Sequence, residues 1–206
     1  MLRQIAASAL LGLAAPAAAQ VAPESLSGLK PGDLLFKGAE TATGTRIAAG
    51  WSLGDKRWGH VGIVVAGAGG GLEVIHADTG QPGETGEVRR VPLAAFLSDV
   101  YTLGLYETGL EGARSGAYLA YAESVVGLPF DRGFSLKSEG SLYCSELVWR
   151  ALSAGAGTDI QPQKSERFGR VYVSVSDLSE NGLIREVGVI TAAQGGDRQT
   201  TQAEAR

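Results

Sequence analysis

The chain has 206 residues, with 22 acidic and 18 basic side chains, a formal net charge of −4, 44% hydrophobic residues and 19% charged ones. That apolar share excludes a wholly disordered chain, and the length suits one domain with a sizeable core. The mild acidity and the lack of any Lys/Arg run argue against a nucleic-acid partner. One Cys and two His leave no room for a zinc ribbon, an iron–sulfur cluster or an intramolecular disulfide.

In chain order, residues 1–19 read as a secretory signal. Arg3 gives the positive start, Leu10, Leu11 and Leu13 the apolar stretch, and Ala17-Ala18-Ala19 the small-residue cleavage pattern before Gln20. The stretch is shorter than the about 20 residues that span a bilayer comfortably. The expected location is periplasmic or secreted, with no stable membrane insertion after cleavage. Residues 20–30 read as a linker that ends at the Pro31-Gly32 turn signal. The domain is expected over 31–190. Its short strands are 33–36, then a hairpin of 59–65 and 72–77 around the glycines at 67–71, then 86–91 and 100–106. Residues 41–53 suit a short irregular helix, and 92–97 one or two helical turns opened by Pro92.

Two long helices follow. The first is expected over 111–126, with Ala113, Ala117 and Ala120 at helical spacing. The second is expected over 142–154, with Leu147, Val148, Ala151 and Leu152 as its inward stripe and Gly155 as its end. Residues 170–174 and 183–190 are expected to close the sheet. The stretch 191–206 is polar and reads as a disordered tail. Strands, then helices, then strands again favour an α+β domain with helices packed on a mainly antiparallel sheet.

Cys144 is the residue with the strongest chemical signal. In an exported protein a structural Cys usually has a partner, and this one has none in its own chain. Gly140-Ser141 before it and the helical stripe after it put Cys144 in a first helical turn. Free N–H groups and the helix dipole favour a thiolate there, and the same groups can hold an oxyanion. A thiol nucleophile needs a base, and the only imidazoles are His60 and His76. Both sit in the strands of the expected hairpin. An even offset between them puts both side chains on one face. His60 then takes the thiol proton while His76 orients it. A zinc site made of His60, His76 and Cys144 is the other reading of the same residues, although no local metal-ligand spacing supports it.

The order Gly32-Asp33-Leu34-Leu35-Phe36, Gly59-His60-Val61-Gly62-Ile63-Val64, Gly127-x-Pro129-Phe130-Asp131, Tyr143-Cys144-Ser145-Glu146-Leu147-Val148 resembles the permuted papain-like cysteine hydrolases of the NlpC superfamily, in particular the YiiX-like group. The resemblance covers residues 31–189. It implies a circularly permuted papain-like fold with the His strand ahead of the Cys helix. By position it makes Cys144 the nucleophile, His60 the general base and His76 the third polar residue, where the group commonly has Glu. It suggests that Glu146 and Tyr143 line the substrate site. Asp33 is read as structural or supporting the site, Asp131 as a turn residue, and Trp51, Trp58 and Phe134 as candidate pocket walls.

The implied activity is a cysteine hydrolase cleaving an amide through a thioacyl-enzyme, without cofactor or metal. The implied substrate is a peptide or cell-wall fragment. Acyl transfer or thioester hydrolysis on acyl substrates is the runner-up among enzymes. A peptide-binding module that has lost catalysis is the alternative outside them.

Overall fold

The computed structural model describes residues 20–81 and 83–192. Its centre is a six-stranded sheet whose neighbours are all antiparallel. The strands are β1 (Leu34–Gly38), β2 (Trp58–Ala66), β3 (Leu72–Asp78), β4 (Glu87–Pro92), β5 (Thr102–Thr108) and β8 (Ile184–Thr191). They run in the order β4-β3-β2-β1-β5-β8. β1 and β2 lie at the middle, where both faces are covered, and their apolar runs match that burial.

Alternation along the strands divides the core in two. Phe36, Val61, Ile63 and Ile75 point to a face covered by α3 (Gly112–Ser124), α4 (Cys144–Ala156) and α5 (Val175–Ser179). Leu35, Val64, Val74 and Leu103 point to the other, covered by Phe96 of α2 (Leu93–Phe96), Leu97 and Val100. Val21 and Leu26 pack on that second face as well, and Val21 N–H donates to Val100 O at 2.9 Å. Residues 21–26 are therefore part of the domain, where the sequence suggested a linker. Their two apolar side chains have a sheet face to bury, which overrides the loop-like composition around them.

Further departures have local causes. The buried residues of α3 are Tyr118 and Ala122, while Ala113 and Ala117 are exposed. The alanine spacing tracked the solvent side of the helix. The stripe of α4 is as expected, with Leu147, Val148, Ala151 and Leu152 fully buried. Its end is Gly157, left-handed at φ 71°, and Gly155 lies inside the helix. Residues Arg170–Tyr172 do not join the main sheet. They form β7, which pairs with β6 (Ser165–Arg167) in a separate hairpin. The expected final strand is present as β8, paired with β5 at the sheet edge. The expected signal and all but the first two residues of the expected tail lie outside the described residues. A helix not yet placed, α1 (Thr43–Trp51), packs against β2, with Thr45 O next to Gly59.

Candidate active site

The β2–β3 ladder pairs Ile63 with Ile75 and runs towards the hairpin turn from there. Continued by one residue, that register sets His76 opposite Gly62 and two residues from the partner of His60. The offset is even, so both imidazoles lie on the second face. His60 Nε2 and His76 Nδ1 are 3.0 Å apart. Gly62 makes the diagonal approach possible, because a Cβ there would lie 2.5 Å from Val74 Cγ1 and 3.1 Å from Phe96 Cε2. Phe96 closes the pair from above, its ring centroid 6.0 Å from that of His60 and 5.1 Å from that of His76.

Cys144 is the first residue of α4, and Tyr143 is its N-cap. The nearby backbone N–H groups of Val61, Ser145 and Cys144 itself favour its thiolate. Val64 N–H points to β1, bonding Asp33 O at 2.8 Å, so by alternation Val61 N–H points to the β3 side. The β2–β3 ladder does not reach Val61. α4, headed by Cys144, packs against β2 and β3, the two strands that carry the histidines. His60 Nε2 is engaged with His76. Its Nδ1 is the nitrogen left for the thiol.

Burial raises the Cys144 thiol above its ordinary pKa, although the three N–H groups pull the other way. His60 is held well below its ordinary value, first by burial and then by repulsion from His76 and Lys37. His76 is lowered to about 4, again by burial first and Lys37 second. At neutral pH the thiol is thus protonated and both imidazoles are neutral.

Sequence reasoning missed Lys37. It is buried on β1 directly opposite His60, its Nζ bonds Asp99 Oδ1 at 2.8 Å, and it stands 4.3 Å from the Phe96 ring centroid. No motif marks it. Only the β1–β2 register puts an ammonium beside the imidazoles.

Cys144 opens onto a cavity of about 290 Å³ on the α4 side of the sheet. Ile47 and Trp51 of α1 form one wall, and Phe134 and Tyr172 lie among the others. Arg132 and Arg170 are its charged lining residues, and no acid lines it. Tyr143 lines it too, with its hydroxyl fixed by Val173 N–H at 2.9 Å. Trp51 and Phe134 are pocket walls as expected. Trp58 is core, bonded through Nε1 to the Tyr106 hydroxyl at 2.9 Å.

Glu146 does not line the cavity. It is fully buried, and Oε1 accepts from Arg150 Nε at 2.9 Å and Nη2 at 2.8 Å, while Oε2 has no partner. Burial lifts its pKa to about 7 against the pull of Arg150. Two residues after Cys144, about 200° further round the helix, position 146 faces the core and not the cleft. Asp33 accepts Lys30 N–H at 2.9 Å, and Asp131 accepts Gly133 N–H and Ser135 N–H at 2.7 and 2.8 Å, so both act on their own loops.

A cysteine-headed helix set against a strand-borne histidine pair defines a papain-like thiol hydrolase, and the His strand precedes the Cys helix, as in its permuted form. The comparisons agree. The model of the permuted papain-like amidase family, YaeF/YiiX, C92, matches residues 28–194, and the chain belongs to that family. It is accordingly a cysteine peptidase or amidase, in class an amide-cleaving hydrolase. The crystal structure of the metalloprotein YiiX from Escherichia coli O157:H7 is similar, with a TM-score of 0.60 at 17% identity over 77% of this chain and 96% of that one. That likeness is one of fold. No curated protein matches the chain. YiiX is described as a metalloprotein, but among the described residues here no group of three or more His, Cys, Asp or Glu could hold a metal ion. His60 and His76 face each other instead of a shared centre.

Proposed function

We propose that the chain is an exported amidase in which Cys144 is the nucleophile, His60 the general base and His76 the residue that orients it. The carrying observation is the His60–His76 contact on the strands against which α4, headed by Cys144, is packed. Neutral His60 donates its Nε2–H to His76 Nδ1 and keeps Nδ1 free. As the sulfur attacks the amide carbon, His60 Nδ1 takes the thiol proton. The N–H groups at the head of α4 face the oxyanion that forms. His60 returns the proton to the leaving amine as the C–N bond breaks. Water then hydrolyses the thioester with His60 again as base. The leader-like residues 1–19 support export, and a peptide of the cell-wall type is the substrate an exported amidase of this lineage would meet.

The cleft favours a second reading of the substrate. Its walls of Ile47, Trp51 and Phe134 suit an apolar acyl group better than a polar peptide. The test is a panel of diaminopimelate-containing peptides and N-acyl amides, run with Cys144→Ala and His60→Ala. The proposal expects turnover of one class, its loss in Cys144→Ala, and a fall of about 100-fold or more in kcat for His60→Ala. Turnover that survives Cys144→Ala would refute it.

A further inference from the structure

The only non-glycine residues with left-handed backbone among the described residues are both phenylalanines, Phe134 at φ 49° and Phe168 at φ 51°. Bulky residues rarely adopt that conformation. Phe168 and Gly169 form the two-residue turn between β6 and β7, and both have positive φ, as a type I′ turn requires. Asn, Asp or Gly ordinarily fills that first position. Here it carries a phenyl ring that is 84% exposed. Exposure and backbone both disfavour Phe at this point, and the folded domain offsets them only by ring contacts with Trp51 and the Arg167 guanidinium.

The two rings share one part of the surface. Phe134 lines the Cys144 cavity, and Phe168 stacks edge-on against Trp51, which lines it too. Loop residues 133–137 and the hairpin residues 169–171 border one shallow groove beside it. Ile47 and Val171, 58% and 50% exposed, add to the apolar rim. The charges that flank the hairpin tip are positive, and the exposed acid on the hairpin, Glu166, lies one residue further from the tip on β6. Arg167 and Arg170 flank the hairpin tip, and Arg132 lies in the cavity wall. None of the three has an acidic partner among the described residues, whereas Arg57, Arg89, Arg90, Arg150 and Arg185 all do. Each of the three donates to a backbone carbonyl, Arg132 to Thr79 O, Arg167 to Gly50 O and Arg170 to Gly133 O, so their charge around the exposed aromatic tips is not neutralised by a carboxylate, an unusual surface for a chain of net charge −4.

We infer that the β6–β7 hairpin and the Phe134 loop dock the mouth of the cleft onto an anionic lipid bilayer. Phe168 enters the boundary between headgroups and acyl chains while Arg167 and Arg170 meet lipid phosphates. This contact is peripheral and needs no membrane-spanning helix. The apolar cavity then opens against the bilayer.

Because Cys144 is the only cysteine, a Cys144→Ser, Phe168→Cys chain accepts one environment-sensitive fluorophore at the hairpin tip. A Cys144→Ser, Ser98→Cys chain carries the same dye on the opposite face. Both full-length chains are mixed with phosphatidylglycerol vesicles, phosphatidylcholine vesicles or soluble cell-wall fragments. The inference expects a blue-shifted, brighter signal at position 168 with phosphatidylglycerol, little change with phosphatidylcholine, and no change at position 98. In the unlabelled chain, Phe168→Ser should lower vesicle partitioning about tenfold or more, and Arg167→Gln with Arg170→Gln should lower it and flatten its salt dependence. A silent probe at position 168, equal signals at 168 and 98, or a response to cell-wall fragments alone would overturn it.

Discussion

Lys37 stands directly across the β1–β2 ladder from His60, and its ammonium lies 4.3 Å from the centroid of the Phe96 ring that packs on both imidazoles. A buried cation so placed opposes protonation of either ring. Replacing it by Met keeps the apolar stem and removes the charge. In Lys37→Met the imidazole titration of His76, followed by NMR, should move up from about 4. The acid limb of kcat/KM should move up with it. The stability cost should be modest, about 1 kcal/mol, because the partner Asp99 is half-exposed. An unmoved His76 midpoint would show that burial alone sets it.

Gly62 gives a sharper test of the histidine geometry. A Cβ on it would meet Val74 Cγ1 at 2.5 Å and Phe96 Cε2 at 3.1 Å. Val74 is a rigid β-branched neighbour on the adjacent strand, and Phe96 roofs the pair. Gly62→Ala should destabilise the fold by about 1–3 kcal/mol in urea unfolding. It should also reduce kcat more than it changes KM, since the cavity is on the other face of the sheet.

Much of this site was legible in the sequence for a definable reason. His60, His76 and Cys144 each lie at a strand or helix boundary that glycines and apolar periodicity mark, and the even offset of the histidines is a simple register condition. What escaped depended on contacts between distant segments. Lys37 reaches the imidazoles only through strand pairing. Glu146 lies two residues after the nucleophile, yet the helix turns it into the core. Val21 and Leu26 look like linker until a sheet face needs covering. The two glycines near the end of α4 show the same limit, because composition cannot tell a stop from a crossing point.

Those two glycines have opposite reasons to resist substitution. A Cβ on Gly155 would sit 2.7 Å from Arg114 O and 2.8 Å from Tyr118 Cβ, where α4 crosses α3. Gly157 has open space around it but a φ of 71°. Gly155→Ala should therefore cost about 1–3 kcal/mol through overpacking, despite the gain in helix propensity. Gly157→Ala should cost about 1 kcal/mol through its backbone alone. Gly157→Asn, which tolerates the left-handed region, should recover part of that loss in thermal unfolding. Gly155→Asn should recover nothing.

The pH dependence of stability near neutrality is set by the buried histidine pair on one side and Glu146 on the other, which act in opposite directions. His76 titrates near 4 in the folded chain and near 6.5 when unfolded, so the unfolded state takes up the proton first. Its contribution is present above pH 6.5 and is lost as pH falls towards 4. Glu146 titrates near 7 when folded and near 4.5 when unfolded, so the folded state holds the proton longer. Its contribution is present below pH 4.5 and is lost as pH rises towards 7. Between pH 4.5 and 6.5 the two slopes oppose each other, and the parent chain should show a shallow profile. Glu146→Gln keeps an acceptor for Arg150 and removes one slope. Its stability should rise with pH across that window. Only removing both imidazoles, His60→Gln with His76→Gln, removes the other, and the stability of that chain should fall as pH rises. The effects of Glu146 and of His76 are each bounded by about 3 kcal/mol, from about 1.4 kcal/mol per pKa unit. Urea unfolding of the three chains at four or five pH values decides the matter, because parallel profiles would mean that neither group carries its proton as the structure requires.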